Sequence, residues 1–310
     1  MTIRIALVGF GHIARHEHLP AIRANASFRL AAVVTRGADP DVGVDCFENI
    51  GELLRQMPGE VDAVAICTPP EVRFAIAREA ITAGLGVLLE KPPCTTLGEI
   101  AELTRAAQQA GTPLYTAWHS QHAPGVEPAA RALAGHEIAT LDIEWRENVR
   151  KWHAGQQWIW QAGGFGVFDT GINALSILSR IMPCPLLVNS ARLLVPADSQ
   201  SPIAAEIVFA GGNRRARFDW RETGPETWSI KVTTTSGSSV ELHRGGASLI
   251  VQGVLQDLPE VMEYRSIYSH YELVHRERRI DVDAEPLRIT ADAYLCGERE
   301  TVDRVGTGAQ

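Results

Sequence analysis

The chain has 310 residues, 45% of them hydrophobic and 21% charged, and a formal net charge of −8. Its length suggests two cores rather than one, and its acidity excludes a basic surface for nucleic acid or an anionic membrane. No apolar run is long enough for a bilayer span or an export signal. Five scattered cysteines without a C-x-x-C pair read as reduced thiols, so a cytoplasmic protein without a metal is expected.

Residues 3–10, IRIALVGF, form a short apolar run that reads as a buried parallel strand. GHIARHEHLPAIRAN then predicts a helix and FRLAAVVTR a second strand. The alternation continues through the helix NIGELLRQ, the strand VDAVAICTPP, the helix EVRFAIAREAITAG and the strand GVLLEKPP. The helix LGEIAELTRAAQQAG and the strand PLYTAWHS close the series near Ser120. Strands and helices alternating over short connections predict a doubly wound parallel sheet for residues 1–120.

Beyond that point the pattern changes. EIATLDIEWRENV sets Leu141, Ile143 and Trp145 against polar neighbours, as in a sheet with one buried face. GVFDTGINALSILSRIM reads as a helix. Six strand-like segments between 187 and 253 follow, several joined by Gly-rich turns, and the tail EPLRITADAYLCGERETV reads as a helix. Residues 121–310 are therefore expected to be one α+β domain on a large, mostly antiparallel sheet.

GFGHIA, residues 9–14, follows the first strand and opens the first helix. Gly9 permits a tight turn, Gly11 lets a pyrophosphate approach the backbone, and Ala14 lets helix pack on strand. The loop Gly9, Phe10, Gly11, His12, Ile13 is thus a candidate dinucleotide cradle. An NAD site usually places an acid about 20 residues on, at the end of the second strand. No acidic residue occurs between Glu17 and Asp39, and the strand ends instead at Thr35 and Arg36. A carboxylate would repel a 2′-phosphate, whereas a hydroxyl and a guanidinium would bind one. NADP is therefore favoured, with NAD left open.

Lysine is rare here: Lys91, Lys151 and Lys231 stand among 29 basic residues. Lys91 follows a buried-looking strand and Glu90, and precedes two prolines that stiffen the backbone. Unlike arginine, a lysine can hand over a proton. On the predicted helix GVFDTGINALSILSRIM, Asp169 and Asn173 stand at i and i+4 and share a face. By spacing alone that pair also fits a cap or a solvated surface. Trp145, Trp152, Trp158 and Trp160, interleaved with Glu147, Lys151 and His153, suit a small polyhydroxylated ligand, or equally a Trp-rich core beneath a loop.

With these motifs the chain resembles the glucose–fructose oxidoreductase / inositol dehydrogenase family: the fingerprint, CTPP and EKP each at the end of a predicted strand, and an Asp-bearing helix. EKPPCTTLGE, AWHS, RKWHAGQQWIW, GVFDTGINALSI and DVDAEPLR are similar to the aldose 1-dehydrogenases of that family acting on L-arabinose and D-galactose. The resemblance implies a Rossmann domain binding NAD(P), bordered by Thr68 and Pro69 and by Glu90 and Lys91. It implies that Lys91 reaches the substrate hydroxyls, with one proline peptide of EKPP a candidate for the cis form. His119, Glu147, Trp152, His153 and Trp158 would line the sugar site, and a homodimer is expected.

Many relatives carry a histidine base where this chain has Asn173, an amide that accepts no proton at neutral pH. The proton then falls to Asp169, with Lys91 steadying the oxyanion. Arg73 also stands where many relatives have histidine. The expectation is an NADP-preferring aldose 1-dehydrogenase. An inositol-type dehydrogenase and a non-catalytic NADP-binding module are the alternatives.

Overall fold

The computed structural model describes residues 2–37, 41–152 and 155–303. They form two compact units, Met1–His119 with Met262–Ala284 and Ser120–Val261 with Glu285–Gln310. The expected 121–310 domain is thus interrupted, because a segment of it returns to the first unit.

In the first unit the strands are β1 (Ile3–Val8), β2 (Phe28–Val34), β3 (Asp45–Phe47), β4 (Ala63–Ile66), β5 (Gly86–Glu90) and β6 (Leu114–Ala117). The helices are α1 (Leu19–Ala24), α2 (Ile50–Gln56), α3 (Pro70–Thr82) and α4 (Leu97–Ala110). Strands β1, β4 and β5 are buried almost throughout, as their unbroken apolar runs require when both sheet faces are covered. The helix expected from Gly11 is present over residues 12–24 but carries a π turn near its start, Ala14–His18, in which Leu19 N donates to Ala14 O. Pro20 lies just beyond and has no N–H to give the ordinary ladder, a common cause of such irregularity.

The second unit opens with α5 (Val126–Leu133), β7 (Ile138–Arg146) and α6 (Phe168–Ile181). Strands β8 (Val188–Pro196), β9 (Ala204–Phe209), β10 (Arg214–Asp219), β11 (Thr227–Thr234), β12 (Ser239–His243), β13 (Ser248–Val251) and β14 (Val254–Leu255) follow. The chain then returns to the first unit as α7 (Glu263–Arg276) and β15 (Ile280–Asp281), and ends in the second as α8 (Glu285–Cys296) and β16 (Gly297–Val302).

The first sheet runs β15-β6-β5-β4-β1-β2-β3, with every pairing parallel. The second runs β14-β13-β12-β11-β7-β10-β9-β8-β16. It is antiparallel except where β10 joins β7 and β16 joins β8. The tail expected to be all helix therefore changes structure at Gly297. There Glu298 and Glu300 join an exposed edge, and Glu300 pairs with Arg192 at 2.5 Å.

Helix α7 was not expected. Its Tyr264, Ile267, Tyr268, Tyr271 and Val274 form a buried stripe against Ile3, Ile5, Leu7 and Phe28 of the first sheet. The 3-4 spacing is helical, but three of the five are tyrosines, whose hydroxyls weaken the apolar signal in the sequence.

Candidate active site

In the first unit the ends of β1, β2 and β4 meet at Gly9. Its φ is +85°, and an added Cβ would lie 2.9 Å from Thr68 N and 3.1 Å from the Cys67 carbonyl carbon. Gly9 N donates to Val34 O at 2.8 Å. Glycine is thus required here for conformation and for space. Gly11 differs, since nothing lies within 4 Å of a Cβ built on it. Phe10 and Ile13 are half-buried, His12 is exposed, and the Arg15 guanidinium lies 4.9 Å from the Phe10 ring centroid. Thr35 Oγ1 accepts from Gly37 N at 3.2 Å, and Arg36 is exposed. Pro69 is exposed, while Thr68 Oγ1 is buried without a hydrogen-bond partner among the described residues.

Open space at Gly11, a closed turn at Gly9 and an orphan hydroxyl at Thr68 fit a dinucleotide. Gly11→Ala is expected to leave the thermal midpoint unchanged while weakening nucleotide binding about tenfold, because only the ligand's room is taken. Gly9→Ala is expected to lower the midpoint itself. Differential scanning fluorimetry with and without NADP separates the two.

Lys91 leaves the carboxyl end of β5, and its peptide bond to Pro92 is cis. Glu90 before it is 2% exposed. Its Oε1 lies 2.7 Å from the Tyr264 hydroxyl and 3.0 Å from His18 Nε2, and its Oε2 accepts from Lys91 N at 2.8 Å. Burial would raise this carboxyl, but hydrogen bonding to His18 and the charges of His18 and Arg73 bring it down to about 2. Burial likewise disfavours charge on the fully buried His18, yet its contacts with Cys67, Tyr268 and Glu90 raise the imidazole well above its ordinary value. Glu90, expected at the cofactor, therefore turns its carboxylate into the protein.

Arg73 is 4% exposed. Its Nε donates to Thr68 O at 2.7 Å, and one terminal nitrogen donates to the carbonyls of Glu90 and Pro92. Where relatives were expected to place a histidine, this guanidinium ties the CTPP turn to the EKPP turn. His119 Nδ1 lies 2.7 Å from Glu263 Oε2, and its ring stacks on Tyr264 with centroids 6.1 Å apart. Burial, the largest single influence, would lower the imidazole, but the hydrogen bond and charge of Glu263 together with the charge of Glu90 outweigh it and raise its pKa.

In the second unit Asp169 occupies the first turn of α6, 5% exposed, and its N–H donates to Gly166 O at 2.8 Å. Asn173, one turn on, is half-buried. A Cβ on Gly171 would meet the Phe218 ring at 2.8 Å, so the opposite side of the helix is pressed onto β10. The loop before α6 is equally tight, because a Cβ on Gly164 would lie 2.0 Å from Trp158 O. Trp220 Nε1 donates to Thr170 Oγ1 at 2.8 Å.

Glu147 is buried and accepts from Trp228 Nε1 at 3.0 Å. Trp145 is buried, stacked on Trp228, and belongs to the core. Trp158 and Trp160 are half-buried, Trp160 packing edge-on against Trp220. His153 and the side chain of Trp152 lie outside the described residues. Among the described residues no group of three or more His, Cys, Asp or Glu could hold a metal.

Residues 3–117 match the family model described as "Oxidoreductase family, NAD-binding Rossmann fold" (GFO_IDH_MocA). A galactose 1-dehydrogenase from Pseudomonas fluorescens is 45% identical over 304 residues, covering 97% of this chain and 98% of that protein.

The chain belongs to the GFO/IDH/MocA oxidoreductase family.

The crystal structure of a D-galactose-1-dehydrogenase from Rhizobium etli is similar over 98% of this chain and 97% of that one, with TM-score 0.92 and 43% identity. A 3-ketoreductase from Actinomadura kijaniata, crystallised with NADP, shares the fold at TM-score 0.80 and 17% identity. The parallel sheet of the first unit is the Rossmann part of this GFO/IDH/MocA protein, and the larger sheet belongs to its second unit. His18, Arg73, Tyr264 and Tyr268 were not among the expected site residues. Only Arg73 left a trace in the sequence, as a departure from the family pattern.

Proposed function

We propose that the protein is an aldose 1-dehydrogenase that oxidises C1 of D-galactose and L-arabinose to the aldonolactone, preferring NADP to NAD. The near-full-length 45% identity to a galactose 1-dehydrogenase carries this reading. The two sugars share ring stereochemistry at carbons 2 to 4, so one pocket can serve both.

Gly9 to Ile13, with Thr68 and Pro69, would hold the cofactor's pyrophosphate side, and Thr35 with Arg36 the 2′-phosphate. When bound, the nicotinamide supplies the hydride acceptor. Asp169 takes the O1 proton as the C1 hydrogen leaves, a task eased by the acidity of an anomeric hydroxyl. Lys91 stabilises the charge that develops on O1. Asn173 orients the sugar, and His119, Glu147, Trp152, His153 and Trp158 line its site. Glu147, a buried carboxylate held by Trp228, is the residue proposed to tell the two sugars apart. A cytoplasmic homodimer completes the proposal.

The test follows NADPH and NADH formation at 340 nm with D-galactose, L-arabinose and myo-inositol. Turnover of either aldose, faster with NADP, is expected. Turnover of inositol alone would remove the aldose assignment, and nucleotide binding without any turnover would favour a regulatory module.

A further inference from the structure

A carboxylate at the end of a buried strand is costly to desolvate, and the cost is offset only by close partners. Glu90 has them, and their arrangement around Lys91 is specific. The peptide unit joining residues 90 and 91 has two polar ends, and each is taken by a buried side chain. The Glu90 carbonyl accepts from Arg73, and the Lys91 N–H donates to Glu90 Oε2 at 2.8 Å. Arg73 also takes the carbonyl of Pro92, on the far side of Lys91.

The carboxylate that holds the N–H is fixed in turn. Its Oε1 meets the Tyr264 hydroxyl at 2.7 Å and His18 Nε2 at 3.0 Å, and His18 Nδ1 lies 2.8 Å from the Tyr268 hydroxyl. Tyr264 and Tyr268 stand one turn apart on α7, and both rings pack edge-on against the His18 imidazole, with centroids 5.0 and 5.7 Å away. His18 ends the π turn that begins five residues after Gly9, and Arg73 comes from α3, just beyond Thr68. Side chains from three helices thus converge on one peptide.

We propose that His18, Tyr264 and Tyr268 act through Glu90, together with Arg73, as a positioning set that fixes the backbone on both sides of Lys91 and so sets the direction of its side chain. The proposal rests on the role given to Lys91 above, and it makes Glu90 a positioning residue rather than a cofactor ligand. It also gives the returning segment a function: α7 supplies two hydroxyls to the set. Small errors of placement at a reacting centre are costly, so such a set affects the chemical step more than binding.

The test uses the full-length protein with Glu90→Gln and, separately, Tyr264→Phe. Glutamine keeps the shape but has a single acceptor oxygen, so it cannot serve both the Lys91 N–H and the Tyr264 and His18 side as the two carboxylate oxygens do. Phenylalanine keeps the ring while removing one donor. Two readouts are taken. In turnover with galactose and NADP, kcat is expected to fall about tenfold or more while both KM values stay within about threefold. In labelling with trinitrobenzenesulfonate, followed by peptide mass spectrometry, Lys91 is expected to change its rate about threefold or more. Lys151 and Lys231, ion-paired to Glu226 and Glu241, serve as internal controls.

The labelling arm needs no substrate. A wild type inert toward every aldose would sink the proposed function while labelling still decides the positioning set. Unchanged Lys91 labelling in a folded Glu90→Gln protein would overturn the proposal, even if its thermal midpoint fell, because the network would then be structural only. A Tyr264→Phe protein that does not fold leaves the Glu90→Gln result to decide.

Discussion

Asp169→Asn is expected to lower kcat with galactose by about 10²- to 10⁴-fold, the contribution usual for a positioned general base. The replacement has nearly the same size, so it should fit the tight first turn of α6, but an amide cannot accept the O1 proton. The affinities for sugar and NADP should change little, since the proton moves only in the transition state. Stability should fall by up to about 2 kcal/mol, the value of a negative charge at a largely buried helix N-terminus. Steady-state kinetics beside a thermal melt separates the effects. A kcat within about tenfold of wild type would move the base elsewhere, and Lys91 would be the next residue to replace.

The second large effect concerns the cofactor. Arg36→Ala should reduce kcat/KM for NADP by about 10- to 100-fold, the range of one or two charge-assisted hydrogen bonds to a phosphate. The same quantity for NAD should stay within about twofold, because NAD lacks the phosphate that the guanidinium would hold. Arg36 is exposed, so removing it should not disturb the fold. An equal loss with both cofactors would exclude it as the phosphate ligand. No loss with either would leave Thr35 as the only candidate on that strand end.

How much of this was legible in the sequence depended on whether a signal was local. The parallel strands are short apolar runs, and the Gly9 turn combines a residue type with a position after the first strand, so both could be read directly. The second sheet followed from alternation such as Leu141, Ile143, Trp145, while helical spacing put Asp169 and Asn173 on one face and only the family resemblance suggested a role for them. The cluster around Glu90 could not be read in this way. Its members come from positions 18, 73, 90, 264 and 268, and no periodicity links them. Helix α7 itself escaped because tyrosines carry most of its buried stripe. Trp145 and Trp158 are alike as letters, yet one is core and the other half-exposed. Only the surrounding sheet distinguishes them.

The return of Met262–Ala284 to the first unit also orders events during synthesis. A nascent chain that has emerged to His119 holds six of the seven strands of the nucleotide-binding sheet, but not the helix that covers Ile3, Ile5 and Leu7. At about 5–20 residues per second, that apolar face stays uncovered on the ribosome for on the order of ten to thirty seconds. The larger unit is translated in the meantime. A fragment cut after residue 119 would keep the dinucleotide loop yet expose the same face, so the nucleotide-binding half is not a portable cassette.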